Sequence, residues 1–95
     1  MLKIKLRLNG ETKVFAQDFI SGYLFRRAVD LDDKRNKYMK EVLETQGDIS
    51  AEQQTALLDE LYSFIVAVFD ERFTVEEYEK GSDARQIIDQ SWSIV

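Results

Sequence analysis

The fold is decided by residues 2–10, which read LKIKLRLNG. Apolar side chains alternate strictly with Lys and Arg over the first seven positions, and a repeat of two residues is the pattern of a strand with one buried face. Asn9-Gly10 follows, the dipeptide that most often forms the tight turn of a β-hairpin. The stretch therefore predicts a β-hairpin over residues 1–17. Its expected core-facing side chains are Leu2, Ile4, Leu6 and Leu8.

The register of the second strand depends on the loop that precedes it. A two-residue loop would put three side chains on the apolar face: Glu11, Lys13 and Phe15. A bulged loop would instead put there Thr12, Val14 and Ala16. The bulged register is favoured because it removes Lys13 from the core face. A two-stranded hairpin is only marginally stable by itself, so it must pack on helices or pair through its edge with another chain.

From residue 21 to residue 95 the sequence predicts helices. Ser21 is a possible N-cap, and the acidic residues 30–33 are either a break or the first turn of a second helix. Residues 33–45 carry an apolar stripe, after which residues 46–48 (QGD) read as a helix stop. The stripe consists of Tyr38, Met39, Val42 and Leu43.

Capping signals mark the later helices. Ser50 and Gln53 form a capping box that opens a helix over about residues 51–72, whose centre is apolar on nearly all sides. A second box begins at Thr74, and Phe73 and Tyr78 have the spacing of a hydrophobic staple. Gly81 ends that short helix. The last segment, from Ser82, carries a helical stripe of Ala84, Ile87, Ile88, Ser91, Trp92 and Val95.

These elements predict a mainly α, α+β fold, in which an N-terminal β-hairpin packs on a small bundle of four or five helices. The length of 95 residues fits a single domain, with the hairpin over residues 1–17 and the helical part over residues 21–95. No stretch approaches the roughly 20 apolar residues of a membrane span. A cytosolic protein is therefore expected.

The composition restricts the available chemistry. The chain has no Cys, no His and no Pro, which excludes disulfides, thiol nucleophiles and Ser-His or Cys-His pairs. Adjacent acidic pairs such as Asp32-Asp33 and Glu76-Glu77 point in different directions on a helix, so they are expected to be solvated charges. Residues 30–33 lack the glycine and the distal glutamate of a calcium loop, and no glycine-rich phosphate loop is present. No enzyme activity, metal or cofactor is predicted; a carboxylate-based hydrolase is the alternative, and it would need a cleft with convergent acids.

The net charge of -5 conceals two oppositely charged segments. Residues 1–40 hold ten basic and five acidic residues, whereas residues 41–95 hold three basic and thirteen acidic residues. The segments can neutralise each other within one chain or meet head to tail between copies, which builds rings or filaments. The basic residues also allow an alternative, a small adaptor or regulator of a mobile element that binds nucleic acid. That patch would consist of Lys3, Lys5, Arg7, Lys13, Arg26 and Arg27.

The final helix is the expected partner surface. Its stripe can pack on the long helix or face a partner, and Trp is favoured at interface hot spots. The expected partner contacts are Tyr78, Ile87, Ile88 and Trp92.

The chain resembles the small tail assembly chaperones of long-tailed bacteriophages, especially those of phages and prophages of Gram-positive bacteria. The resemblance is carried by three stretches: residues 2–10 with Phe15 and residues 18–19; residues 21–22 with residues 26–28; and residues 68–81, which read VFDERFTVEEYEKG.

This resemblance implies a role without enzymatic activity or cofactor. Such proteins bind the tape measure protein, keep it soluble, and help recruit the major tail tube protein that polymerises around it. They act in the cytoplasm of the bacterial host, commonly self-associate, and are absent from the mature virion. Apolar helix faces would then cover an amphipathic helix of the partner, as in helix-in-groove recognition.

Overall fold

A computed structural model describes residues 2–46 and 50–95. In these residues a two-stranded antiparallel hairpin precedes four helices, so the predicted α+β, mainly α architecture is confirmed. The elements in chain order are β1 (Leu2–Leu8), β2 (Glu11–Gln17), α1 (Gly22–Glu44), α2 (Ala51–Val68), α3 (Val75–Gly81) and α4 (Ile87–Ile94).

The hairpin has the simple register, and the favoured bulged register is wrong. Leu8 pairs with Glu11 across a two-residue loop, and Ile4 therefore pairs with Phe15. Asn9 and Gly10 both have positive φ angles, 53° and 79°, as a type I′ turn requires. The outward side chains of β2 are consequently Thr12, Val14 and Ala16.

Packing explains why this register is stable although Lys13 shares a face with Leu6. Phe15 meets Phe73 edge-on, with ring centroids 4.9 Å apart. Burial along β2 increases toward Gln17, away from the turn, so Lys13 lies where its side chain remains exposed. A long basic side chain can lie along an apolar face while its ammonium group stays in water.

Two substitutions in β2 test this register. We expect Phe15→Ala to lower the free energy of unfolding by about 2 kcal/mol, since a half-buried aromatic ring and its ring–ring contact are lost. Val14→Ala should change it by less than about 0.5 kcal/mol, because Val14 is 56% exposed. Urea unfolding of both variants gives the two values. The opposite order would support the bulged register.

Helix α1 runs without a break through the acidic residues 30–33, so the alternative of two helices is excluded. Leu24 and Leu31 are its buried side chains. Ser21 occupies the N-cap position but makes no side-chain capping hydrogen bond. The helix ends at Glu44, two residues before Gln46 with its positive φ of 56°. The predicted stop also includes residues 47 and 48, which lie outside the described residues.

Helix α2 begins at the predicted cap and ends four residues before the predicted end. The Ser50 hydroxyl accepts from the Gln53 backbone N–H (3.2 Å), while the Gln53 side-chain amide donates to Glu41 of α1 (3.2 Å). Beyond Val68, residues 70 and 71 both adopt positive φ angles and turn the chain. One face of α2 forms the centre of the core, with Leu61, Phe64, Ile65 and Val68 buried.

Helix α3 has both of its predicted N-terminal features. Thr74 and Glu77 form a reciprocal capping box, and the rings of Phe73 and Tyr78 stack with centroids 5.8 Å apart. At its other end, Gly81 touches β1 so closely that a Cβ there would lie 3.1 Å from the Leu6 Cβ. Glycine thus allows α3 to lie directly against the strand.

The C-terminal end of α2 is tied to the end of the hairpin. The side-chain amide of Gln17 donates to the Val68 carbonyl (3.0 Å) and to the Asp70 carboxylate (2.7 Å). Arg72 donates to the Ala16 carbonyl (2.6 Å). The buried amide therefore has two acceptors, and the hairpin is fixed to the turn after α2.

Candidate functional site

Helix α4 is positioned by a buried polar contact with α3. The hydroxyls of Tyr78 and Ser91 lie 2.7 Å apart, and the Gln90 side-chain amide donates to the Tyr78 hydroxyl (3.2 Å). Both Tyr78 and Ser91 are fully buried. Residues 82–86 do not extend the helix, so Ala84 lies in an exposed turn and not on the predicted stripe.

An apolar groove opens where α4 passes the C-terminal half of α1 and the first turns of α2. It encloses about 590 Å³. Its lining side chains come from three helices: Arg35, Tyr38 and Met39 of α1; Gln54, Leu57 and Leu58 of α2; and Ile88, Asp89, Trp92 and Ser93 of α4. Six of these side chains are aliphatic or aromatic and four are polar or charged, a mainly apolar lining with a few polar groups, as in many ligand and peptide sites.

One side of the groove is held by Arg35 and Trp92. The Arg35 guanidinium carbon lies 4.7 Å from the Trp92 ring centroid, within the range of a cation–π interaction. Trp92 is half-buried and also packs against the core cluster. Part of this large ring therefore remains available to a partner.

The four predicted contact residues occupy two layers. Tyr78 of α3 and Ile87 of α4 are buried in the core and hold α4 against it. Ile88, which is 41% exposed, and Trp92 line the groove. Of the four, only Ile88 and Trp92 are therefore accessible to a partner in the described conformation.

The sequence missed the other side of this groove. Leu57 and Leu58 belong to the first half of α2, and the sequence does not show which part of that long helix the final helix meets. Tyr38 and Met39 belong to the predicted apolar stripe of α1, but only the tertiary structure shows which half of that stripe meets α4. The available signal for these groove residues was the recurrence of apolar side chains every three or four positions along a helix.

The two charged segments remain largely separate. Among the described residues, Lys34 and Glu60 (2.8 Å) are the one ion pair that joins two different helices. Hydrogen bonds to the carboxylates of Glu60 and Asp30 raise the pKa of Lys34, so it stays charged at neutral pH. The pairs formed within one element are local and solvent-exposed, and such pairs contribute little stability.

The basic residues grouped by sequence do not form one patch. Lys3, Lys5 and Arg7 project from the outer face of β1, whereas Lys13 shares the opposite face of the hairpin with Leu6. The Arg27 guanidinium lies 5.8 Å from the Phe64 ring centroid. Three aligned cations on one strand are fewer than a nucleic-acid groove normally offers.

The acidic residues with a shifted pKa lie in ion pairs at the surface. A hydrogen bond from Arg85 lowers the pKa of Asp83 to about 2, and a hydrogen bond from Lys80 lowers the pKa of Glu76. A general acid needs a raised pKa near neutrality. No group of three or more possible metal ligands occurs in residues 2–46 and 50–95.

None of the helices in the described parts of the chain is long and apolar enough to cross a bilayer. Comparisons with curated proteins and with solved structures find no significant match. A family model described as "Phage tail chaperone protein" matches residues 1–95, which is the whole length of the sequence. The predicted family resemblance is therefore confirmed, and the chain belongs to the phage tail chaperone protein family.

Proposed function

We propose that this tail chaperone binds the tape measure protein and keeps it soluble before the tail tube closes around it. The observation that carries the proposal is the groove of about 590 Å³ between α1, α2 and α4, with Ile88 and Trp92 on one wall. A tape measure protein must span the length of a tail, and long helical chains expose apolar stripes until they are covered.

An amphipathic helix is the partner that suits this groove. The walls are themselves helices, and a helix with apolar residues at i, i+3, i+4 and i+7 presents a continuous ridge to such a groove. Leu57, Leu58 and Ile88 supply the apolar surface, and Trp92 supplies a large aromatic contact of the type enriched at hot spots. The acidic surface of residues 41–95 would keep the complex soluble.

The rest of the proposed role follows from this complex. The chaperone would present the bound tape measure protein to the tail tube protein, without enzymatic activity or cofactor, in the cytoplasm of a Gram-positive bacterial host. It would self-associate to cover a long partner and be absent from the finished virion. We further propose that residues 1–95 act as one domain, since the hairpin and the helices contribute to one core cluster.

Co-expression with the tape measure protein of the same phage tests the function. We expect the native chain to move that protein into the soluble fraction. Ile88→Glu should weaken the complex about 30-fold or more, because a hot-spot contact of about 2 kcal/mol is replaced by a charge in an apolar groove. The dissociation constant can be measured by titration calorimetry with a soluble tape measure fragment.

Val14→Glu is the matched control, since it places the same charge on an exposed apolar position of the hairpin, outside the groove. It should bind like the native chain. If the tape measure protein is equally insoluble with and without the native chain, the proposed function is wrong. If Val14→Glu and Ile88→Glu weaken binding equally, the groove is not the binding surface. Addition of tail tube protein to the soluble complex then tests recruitment.

A further inference from the structure

Helix α1 carries a second stripe of side chains that points away from the core and is apolar at both of its ends. Its residues recur at alternating intervals of four and three, and all of them are exposed, with Phe25 at 70% and Leu43 at 79%. We call this set the α1 outer stripe; it consists of Phe25, Val29, Asp32, Asn36, Met39 and Leu43.

The spacing of the stripe is that of a helix–helix seam. Alternating steps of four and three residues give a period of 3.5, which keeps one line of side chains facing a partner helix. The stripe extends over 19 residues, from Phe25 to Leu43, and its 18 steps of 1.5 Å give a length of about 27 Å. A helix that simply faced water would have no reason to place Phe, Val, Met and Leu at these positions.

The order of apolar and polar positions along the α1 outer stripe is the same in both directions. Two apolar residues stand at each end, and Asp32 and Asn36 stand in the middle. An interface with twofold symmetry must be complementary to itself. The α1 outer stripe meets that condition. In an antiparallel pair, each of its apolar residues faces an apolar residue of the second copy, and each Asp32 carboxylate faces an Asn36 amide.

We propose that the α1 outer stripe binds the same stripe of a second copy, with the two helices antiparallel. Phe25 would then lie opposite Leu43 of the second copy, and Val29 opposite its Met39. At the centre, Asp32 would accept a hydrogen bond from the side-chain amide of Asn36 of the second copy. The pairing deepens the self-association that is part of the proposed function.

Electrostatics favour the antiparallel arrangement over the parallel one. Parallel helices would bring the two Asp32 carboxylates face to face, and like charges directly opposite each other are destabilising. Antiparallel helices place each carboxylate beside a neutral amide that can donate to it. They also bring the positive N-terminal end of one helix dipole beside the negative C-terminal end of the other.

The charges that flank the stripe make the pairing distinct from a head-to-tail contact of the two charged segments. In the antiparallel pair, Arg26 lies beside Lys40 of the second copy, so added salt screens a repulsion there. A head-to-tail contact of opposite charges would weaken with salt. On the same flank Asp33 would face Asp33 of the second copy. Asp33 and Lys40 already have partners within α1, Lys37 at 3.0 Å and Glu44 at 3.8 Å, which limits both repulsions.

The seam leaves most of the groove free. Leu24 and Leu31 are the side chains that α1 buries in the core, while Phe25, Val29 and Leu43 are exposed and do not line the groove. Met39 alone belongs to both surfaces. Substitutions at Phe25 and Leu43 therefore test the pairing without altering the groove.

Light scattering and sedimentation of the purified full chain test the pairing without any tail protein present. We expect a dimer that persists when salt is raised. Leu43→Glu should weaken it at least 100-fold, because twofold symmetry places the new charge against Phe25 twice. Tyr23→Glu is the matched control, since Tyr23 is 69% exposed on the opposite side of α1, and it should remain dimeric. Circular dichroism verifies that both variants are folded.

Engineered cysteines test the direction, because the native chain has none. A mixture of Phe25→Cys and Leu43→Cys chains should give a disulfide between the two different chains under mild oxidation, and neither variant alone should crosslink. Crosslinks of each variant with itself would overturn the antiparallel pairing. A native chain that is monomeric at high concentration, or whose dimer withstands Leu43→Glu, would overturn the interface altogether. A monomer that still solubilises the tape measure protein would contradict only this inference.

Discussion

Replacement of Phe73 by alanine is expected to lower the free energy of unfolding by about 3–5 kcal/mol. The Phe73 ring is buried and contacts three other rings: Phe15 of β2 at 4.9 Å, Phe69 at 5.7 Å and Tyr78 of α3 at 5.8 Å. It thereby joins the hairpin, the end of α2 and α3. A chain of this length has a total stability of about 5–14 kcal/mol, so this one substitution removes a large part of it.

Urea unfolding monitored by circular dichroism measures this loss. Phe19→Ala is the matched control, because Phe19 is 77% exposed and its removal should cost less than about 0.5 kcal/mol. A double-mutant cycle with Phe15→Ala should show a coupling of about 0.5–1.5 kcal/mol, the range for aromatic pairs. Equal effects of Phe73→Ala and Phe19→Ala would mean that the hairpin does not pack on this ring.

Replacement of Tyr78 by alanine is expected to cost a similar amount, about 3–5 kcal/mol, through two separable contributions. The ring is fully buried and stands 5.5 Å from the Tyr62 ring. Its hydroxyl is also the partner of the buried Ser91 hydroxyl. Tyr78→Phe retains the ring and leaves Ser91 without that partner, which should cost about 1–3 kcal/mol.

The comparison of Tyr78→Phe with Tyr78→Ala separates packing from hydrogen bonding. Amide hydrogen exchange should show which elements lose stability. Tyr78→Phe should speed exchange in α4 and leave the rates in β1 and β2 close to those of the native chain. Since α4 carries Ile88 and Trp92, the same variant should also weaken the proposed binding of the tape measure protein. Uniform acceleration of exchange across the chain would mean that the hydroxyl contact stabilises the whole fold rather than α4.

Local signals in the sequence were sufficient for the elements whose stability is local. The alternation in residues 2–8, the Asn9-Gly10 turn, the box at Thr74 and the staple of Phe73 with Tyr78 all act within a few residues, and each is present. The register of the hairpin depends only partly on local signals. Polarity alone opposed Lys13 on the core face, but the turn geometry and the contact of Phe15 with a residue far along the chain outweigh that preference.

The helix boundaries could not be predicted correctly where tertiary contacts determine them. Nothing in the acidic residues 30–33 decides between a break and a continuous helix, and burial of Leu31 against the core favours continuity. Val68 ends α2 early because the following turn is tied to Gln17. For the same reason, only one wall of the groove could be predicted from the sequence. Ile88 and Trp92 were predicted as contact residues, but Leu57 and Leu58, which line the groove with them, belong to a different helix.

The ties between the hairpin and the turn after α2 have a consequence for synthesis on the ribosome. Gln17 bonds to Val68 and Ala16 to Arg72, 51 and 56 residues apart, and Gly81 completes the contact with β1. At about 5–20 residues per second, the roughly 64 residues from Asp18 to Gly81 take roughly 3–13 s to be made. During those seconds α3, the helix that packs on β1, is not yet complete, and the charged outer face of β1 is what discourages pairing with neighbouring nascent chains.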